Sequence, residues 1–83
     1  MRTNVVQETV VHEYPTLGRG YRVRVLRKEG AASALDIREY LASDTWEGFT
    51  RRGIRLSSVA EIESLRQSLA DLIERGLLAG TPE

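Results

Sequence analysis

The stretch YRVRVLRK, residues 21–28, alternates strictly: Tyr21, Val23 and Val25 fall on one side of an extended chain, Arg22 and Arg24 on the other. A period of two is incompatible with a helix and commits the segment to a strand with one apolar and one cationic face. ALDIREYLA, residues 34–42, repeats the pattern, with Leu35, Ile37 and Leu41 opposed to Asp36, Arg38 and Tyr40. FTRRGIRL, residues 49–56, does so again, Ile54 and Leu56 opposing Arg51 and Arg55. Gly53 inside that strand signals a bulge or the close approach of another backbone. NVVQETVVHEY, residues 4–14, is rich in β-branched residues and reads as a first strand ended by Pro15. PTLGRG, EGAAS and SDTWEG supply the intervening turns.

After Leu56 the period changes. Ser58 with Glu61 three residues on is a capping box, so a helix starts at about Val59 and runs to about residue 76. Ile62, Leu65, Leu69, Leu72 and Gly76 recur at spacings of three and four, and Ile73 and Leu77 widen that stripe. The expectation is one α+β domain over 1–83, four strands (about 4–14, 20–28, 34–42 and 49–56) followed by one helix. A single helix covers a four-stranded sheet incompletely. A chain this short buries only roughly two-thirds of its unfolded surface and needs a supplement. With no cysteine, disulfides and thiolate metal sites are excluded, and the lone His12 cannot anchor a zinc ion. Oligomerisation remains, and Ile62, Leu65, Leu69, Leu72 and Ile73 are the expected dimer interface.

No apolar run approaches the roughly 20 residues of a membrane span. Gln7 and Glu8 interrupt the apolar stretch near the N-terminus, so no signal-type segment is read there. A soluble, cytoplasmic protein is expected, nucleoid-associated if bacterial. Twelve basic and twelve acidic residues give a net charge of zero, which argues against nucleic acid as a partner. The charges are segregated, however. Residues 18–55 hold nine cations against five acids, whereas residues 56–83 hold two against five. Eleven of the twelve cations are arginine, whose planar fork suits phosphates and whose face stacks on bases.

Catalysis has no support. Asp36 and Glu39 project to opposite faces of a strand and cannot act as an acid/base pair. Ser57 and Ser58 serve the helix start, and GRG at 18–20 lacks the strand–loop–helix setting of a phosphate loop. Neither an enzyme nor a cofactor is expected. What remains is a sheet face bearing Arg22, Arg24, Arg38, Arg51 and Arg55, with Trp46, Phe49 or Tyr40 as candidate stacking planes. Such a face suits single-stranded nucleic acid, whose bases are free to stack.

Asp36-Ile37-Arg38-Glu39-Tyr40, then Arg52-Gly53-Ile54 with Leu56, then a helix opening after serine, resemble the signature of the positive cofactor 4 family of transcriptional coactivators. The likeness spans residues 18–75. It implies a four-stranded antiparallel curved sheet followed by one helix, and a homodimer paired through the helices. It also implies channels that bind single-stranded DNA with little sequence preference. On that resemblance Arg38, Arg51 and Arg52 match backbone-contacting positions, with Arg22 or Arg24 alongside, and the chain looks like the compact form found in bacteria and phages. The chain departs from the family at two stacking positions, now Leu41 and the Arg27-Lys28-Glu29 segment. Expected partners are single-stranded DNA or RNA, a second copy of the chain, and transcription or repair machinery. The alternative is a dimeric protein-interaction module of the same fold with weak or lost nucleic-acid binding.

Overall fold

A computed structural model describes residues 8–78, which form β1 (Glu8–Leu17), β2 (Tyr21–Lys28), β3 (Ser33–Ala42), β4 (Glu47–Leu56) and α1 (Val59–Glu74). The strands make one antiparallel meander in the order β1-β2-β3-β4. The architecture is therefore α+β, with a helix following an open four-stranded sheet. No helix among the described residues is long and apolar enough to cross a membrane.

The strands are longer than their apolar patterns. The expected end of β1 at Pro15 is corrected: the strand continues to Leu17, with register shifts between Val10 and His12 and between Tyr14 and Leu17. β1 is an edge strand, where a residue without an N–H removes no ladder hydrogen bond. Residues 4–7, expected to begin it, lie outside the described residues. β4 starts two residues early because Ser43 closes the β3–β4 hairpin. Its amide donates to the Trp46 carbonyl at 2.8 Å, and its hydroxyl accepts from the amides of Thr45 and Trp46.

Register confirms the two faces. Val23 pairs with Ile37 and Ile37 with Ile54; Val25 pairs with Leu35 and Leu35 with Leu56. One step away, Arg22 pairs with Arg38, Arg24 with Asp36 and Asp36 with Arg55. β4 spends three residues between Phe49 and Gly53 where β3 spends one between Tyr40 and Arg38, so β4 bulges there. Gly53 serves that bulge. A Cβ on it would stand 2.4 Å from the Ile37 carbonyl oxygen and 2.8 Å from the Arg38 Cα, backbone atoms that cannot yield.

The capping box forms as the spacing indicates. Ser58 Oγ accepts the Glu61 amide at 3.0 Å, and the Glu61 carboxylate accepts the Ser57 amide at 3.3 Å. Ser58→Ala is expected to lose about 1 kcal/mol of stability, read as a lower urea midpoint with an unchanged slope. An unchanged midpoint would remove the cap from the account. The helix ends at Glu74, two residues short of the expected 76. Gly76, at φ 62°, donates to the Ile73 carbonyl, and Leu77 donates to that of Leu72. These paired bonds turn the chain out of the helix through a left-handed residue that suits glycine.

Where side chains are buried departs from an ordinary helix-on-sheet domain. Even the start of α1 meets the apolar face loosely: Val59 and Ile62 line an open cleft with Tyr14, Val23, Val25, Leu35 and Leu56, and Val59 is 85% exposed. Farther along, Leu69 is 49% and Ile73 74% exposed. The radius of gyration is 15.8 Å, against about 12 Å for a compact chain of this length. Among the described residues the buried side chains are Leu26 and Asp36, both on the arginine face.

Candidate nucleic-acid interface

Strand alternation sets Arg22, Arg24 and Leu26 of β2 beside Ala34, Asp36, Arg38 and Tyr40 of β3, and beside Phe49 and Arg55 of β4. β1 adds Glu8, Val10 and Glu13, paired with Lys28, Leu26 and Arg24. The face is curled. Its outer strands β1 and β4 would stand about 14 Å apart on a flat sheet. Yet Glu8 Oε2 of β1 lies 2.8 Å from Arg55 Nη1 of β4. Glu8 stands opposite Lys28 while Arg55 is in line with Asp36 and Arg24, so the offset along the strands raises the flat separation to about 19 Å, beyond the reach of the two side chains, and the sheet bends toward the arginine side.

Asp36 organises this surface. Its side chain is 0% exposed and its carboxylate faces three guanidinium groups. Arg38 donates from Nη2 at 3.0 Å and from Nε at 3.2 Å, Arg55 donates from Nε at 3.2 Å, and Arg24 Nη2 stands 3.5 Å away. Burial by itself pushes the Asp36 carboxyl up, but the hydrogen bonds and charges of Arg38 and Arg55 outweigh it and hold the group below the usual carboxylate range. Arg38 also donates to the Arg51 carbonyl at 3.1 Å, which fixes the bulged part of β4.

The aromatic rings form a second row. The guanidinium carbon of Arg22 lies 4.0 Å from the Tyr40 ring centre, and that of Arg24 lies 3.9 Å from the Phe49 ring centre. Tyr40 and Phe49 meet edge to face, with centroids 4.9 Å apart. Arg24 Nε is buried without a hydrogen-bond partner among the described residues, so the Phe49 ring carries much of its placement. Tyr40 donates its hydroxyl to Glu47, and that bond raises the phenol pKa above its ordinary value.

Of the residues anticipated from sequence, Arg22, Arg24, Arg38, Arg55 and Phe49 come together here. Arg51 is exposed in the bulged stretch between Phe49 and Gly53. Arg52 and Trp46 do not join the group. Arg52 Nε stands 3.9 Å from Glu39, whose position alternates with Arg38 and Tyr40 onto the apolar face. The indole of Trp46 covers Gly48, which pairs with Leu41 on that same apolar side. Asp36 and Glu8 of this surface stand outside the site residues expected from sequence, and Tyr40 enters there only as a candidate stacking plane. The alternation of β3 already set Tyr40 and Asp36 on the arginine face, whereas the nearness of Glu8 to Arg55, 47 positions away, has no local signal.

Carboxylates of Asp36, Glu8, Glu13 and Glu47 share the face, so its net charge is far lower than a row of arginines suggests. No group of three or more histidine, cysteine or acidic side chains able to hold a metal occurs among the described residues. No known protein family, curated protein or solved structure matches the chain. The likeness to the positive cofactor 4 signature therefore rests on the motif residues alone.

Proposed function

We propose that this chain, as a homodimer joined through its helices, binds single-stranded nucleic acid along the curled arginine face with little sequence preference. The observation that carries this reading is the double stack of Arg22 on Tyr40 and Arg24 on Phe49 beside the anchored Arg38. Guanidinium planes and aromatic rings are surfaces on which unpaired bases stack, whereas a duplex keeps its bases inside. Asp36 and Glu39 remain without acid/base geometry, and the activity is binding without turnover. A role beside transcription or repair machinery follows only from the family likeness and belongs to the same proposal.

The carboxylates on the face make the electrostatic part modest. Arg22, Lys28 and Arg51 are the cations there without an acidic partner among the described residues. Three phosphate contacts on a single strand give a slope of log affinity against log salt of about −2.1. Fluorescence anisotropy with a labelled oligonucleotide is expected to show that shallow slope. Arg22→Ala should lower it by about a third, while Tyr40→Ala weakens binding by about 1–3 kcal/mol at every salt concentration. No binding at low salt, or binding indifferent to both substitutions, would overturn the reading.

A second reading, a protein-interaction module of the same fold, is favoured by one feature. Arg38 and Arg55 already discharge onto Asp36 within 3.2 Å. The same titration decides between them, since that module would leave the oligonucleotide free at low salt.

A further inference from the structure

Leu26 and Asp36, the two buried side chains among the described residues, both lie under one ion pair. Glu8 stands opposite Lys28 on the β1 side, and Arg55 stands opposite Asp36 on the β4 side. The line joining them crosses β2 at Leu26 and β3 at Ala34 and Asp36. The Glu8–Arg55 contact is thus a bar laid diagonally over the floor of the curled face.

The two carboxylates that hold Arg55 differ. Asp36 sits mid-sheet at 0% exposure with three arginine partners, and it cannot leave without stranding them. Glu8 opens the edge strand, its side chain is 30% exposed, and its ion pair is with Arg55 alone. Rotation of Glu8 into solvent would free Nη1 of Arg55 while Nε stayed anchored on Asp36 at 3.2 Å. A guanidinium pinned at one end and open at the other is pre-organised to take a phosphate oxygen. The Glu8 carboxylate stands where that oxygen would sit.

We propose that Arg55 is a phosphate subsite for the backbone of a single-stranded nucleic acid and that Glu8 keeps it closed as an internal competitor. The proposal rests on the nucleic-acid reading above and adds a contact that reading does not count. Strand entry at this end displaces a carboxylate, so full engagement of the face is opposed by the protein's own anion. Wild-type affinity is correspondingly held down.

The test is an oligonucleotide titration across a salt series with the full chain and four variants. Glu8→Gln is expected to tighten binding roughly threefold or more at low salt, the scale of a half-exposed ion pair. It should also steepen the salt slope by about 0.7, one added phosphate contact. Glu74→Gln removes the same charge from the helix surface and should change neither. The double variant Glu8→Gln, Arg55→Gln should bind as Arg55→Gln alone does. If Glu8→Gln disturbs folding, judged by circular dichroism, Glu8→Asp retains the charge but shortens the reach, and it should still tighten binding. A wild type that binds, with Glu8→Gln unchanged or matched by Glu74→Gln, overturns the subsite and leaves the nucleic-acid reading standing. Absence of binding by every variant at low salt overturns that reading and the subsite with it.

Discussion

Asp36→Ala is expected to destabilise the fold by about 3 kcal/mol. The substitution removes the single anion on which Arg24, Arg38 and Arg55 converge and leaves three guanidinium groups crowded on one side of a sheet. The estimate takes the low end of the range for breaking a buried pair, because those guanidinium groups keep partial access to water. In a small domain whose whole stability lies near 5–15 kcal/mol, a change of about 3 is a large fraction. Asp36→Asn keeps the shape and loses the charge, so it should fall between wild type and alanine. The acid limb gives an independent readout. The folded-state carboxyl is held below its ordinary value, so Asp36 contributes stability that is fully present above the unfolded pKa of about 3.9. That contribution disappears as pH falls through the lower, folded value. Wild type should therefore lose stability over that acid window, while Asp36→Asn should lack this component of the loss. Urea midpoints at neutral pH and along an acid series measure both. An alanine variant as stable as wild type would show that the cluster is surface decoration.

How much of this surface the sequence discloses follows from which physical signals are local. The alternation in YRVRVLRK and ALDIREYLA is enforced by the strand pleat, and it places Val23 beside Ile37 and Arg22 beside Arg38 as read. Gly53 was open to two readings, a bulge or a close backbone approach, and both hold because the bulge is what brings Ile37 and Arg38 against it. Ser58 and Glu61 announce the helix because a cap is a contact between near neighbours. Arg52 has the parity of Ile54 and Leu56, so strand alternation itself sends it to the apolar face beside Glu39, and only the family likeness groups it with the arginines. Trp46 depends on how a turn folds back over Gly48, which composition does not encode. The curl of the sheet, and with it the meeting of Glu8 and Arg55, arises only once four strands are assembled. Charge pattern alone overstates the cationic character of the face, since it locates arginines without revealing which carboxylates they meet.

Light scattering behind a sizing column is expected to return twice the 9.3 kDa of the chain, and Leu69→Glu with Ile73→Glu is expected to abolish the folded state as well as the dimer. The reason is the open apolar side. Ile62, Leu65 and Leu72 are half-buried, Leu69 and Ile73 project largely into solvent, and Ile54 on β4 is 51% exposed. With Leu26 as the buried hydrophobic side chain among the described residues, and that one on the polar face, a lone chain lacks the apolar burial that offsets its conformational entropy. A second copy laid helix to helix, and over the uncovered strands, would supply it. The sheet edges are poor alternatives. β1 is interrupted by register shifts and carries Pro15, and β4 bulges between Phe49 and Gly53, so neither offers a continuous ladder to another strand. Folding coupled to pairing makes the unfolding midpoint rise with protein concentration, which an autonomous monomer does not show. Wild-type chain sedimenting as a 9.3 kDa species at micromolar concentration, with a midpoint independent of concentration, would contradict both halves of this expectation.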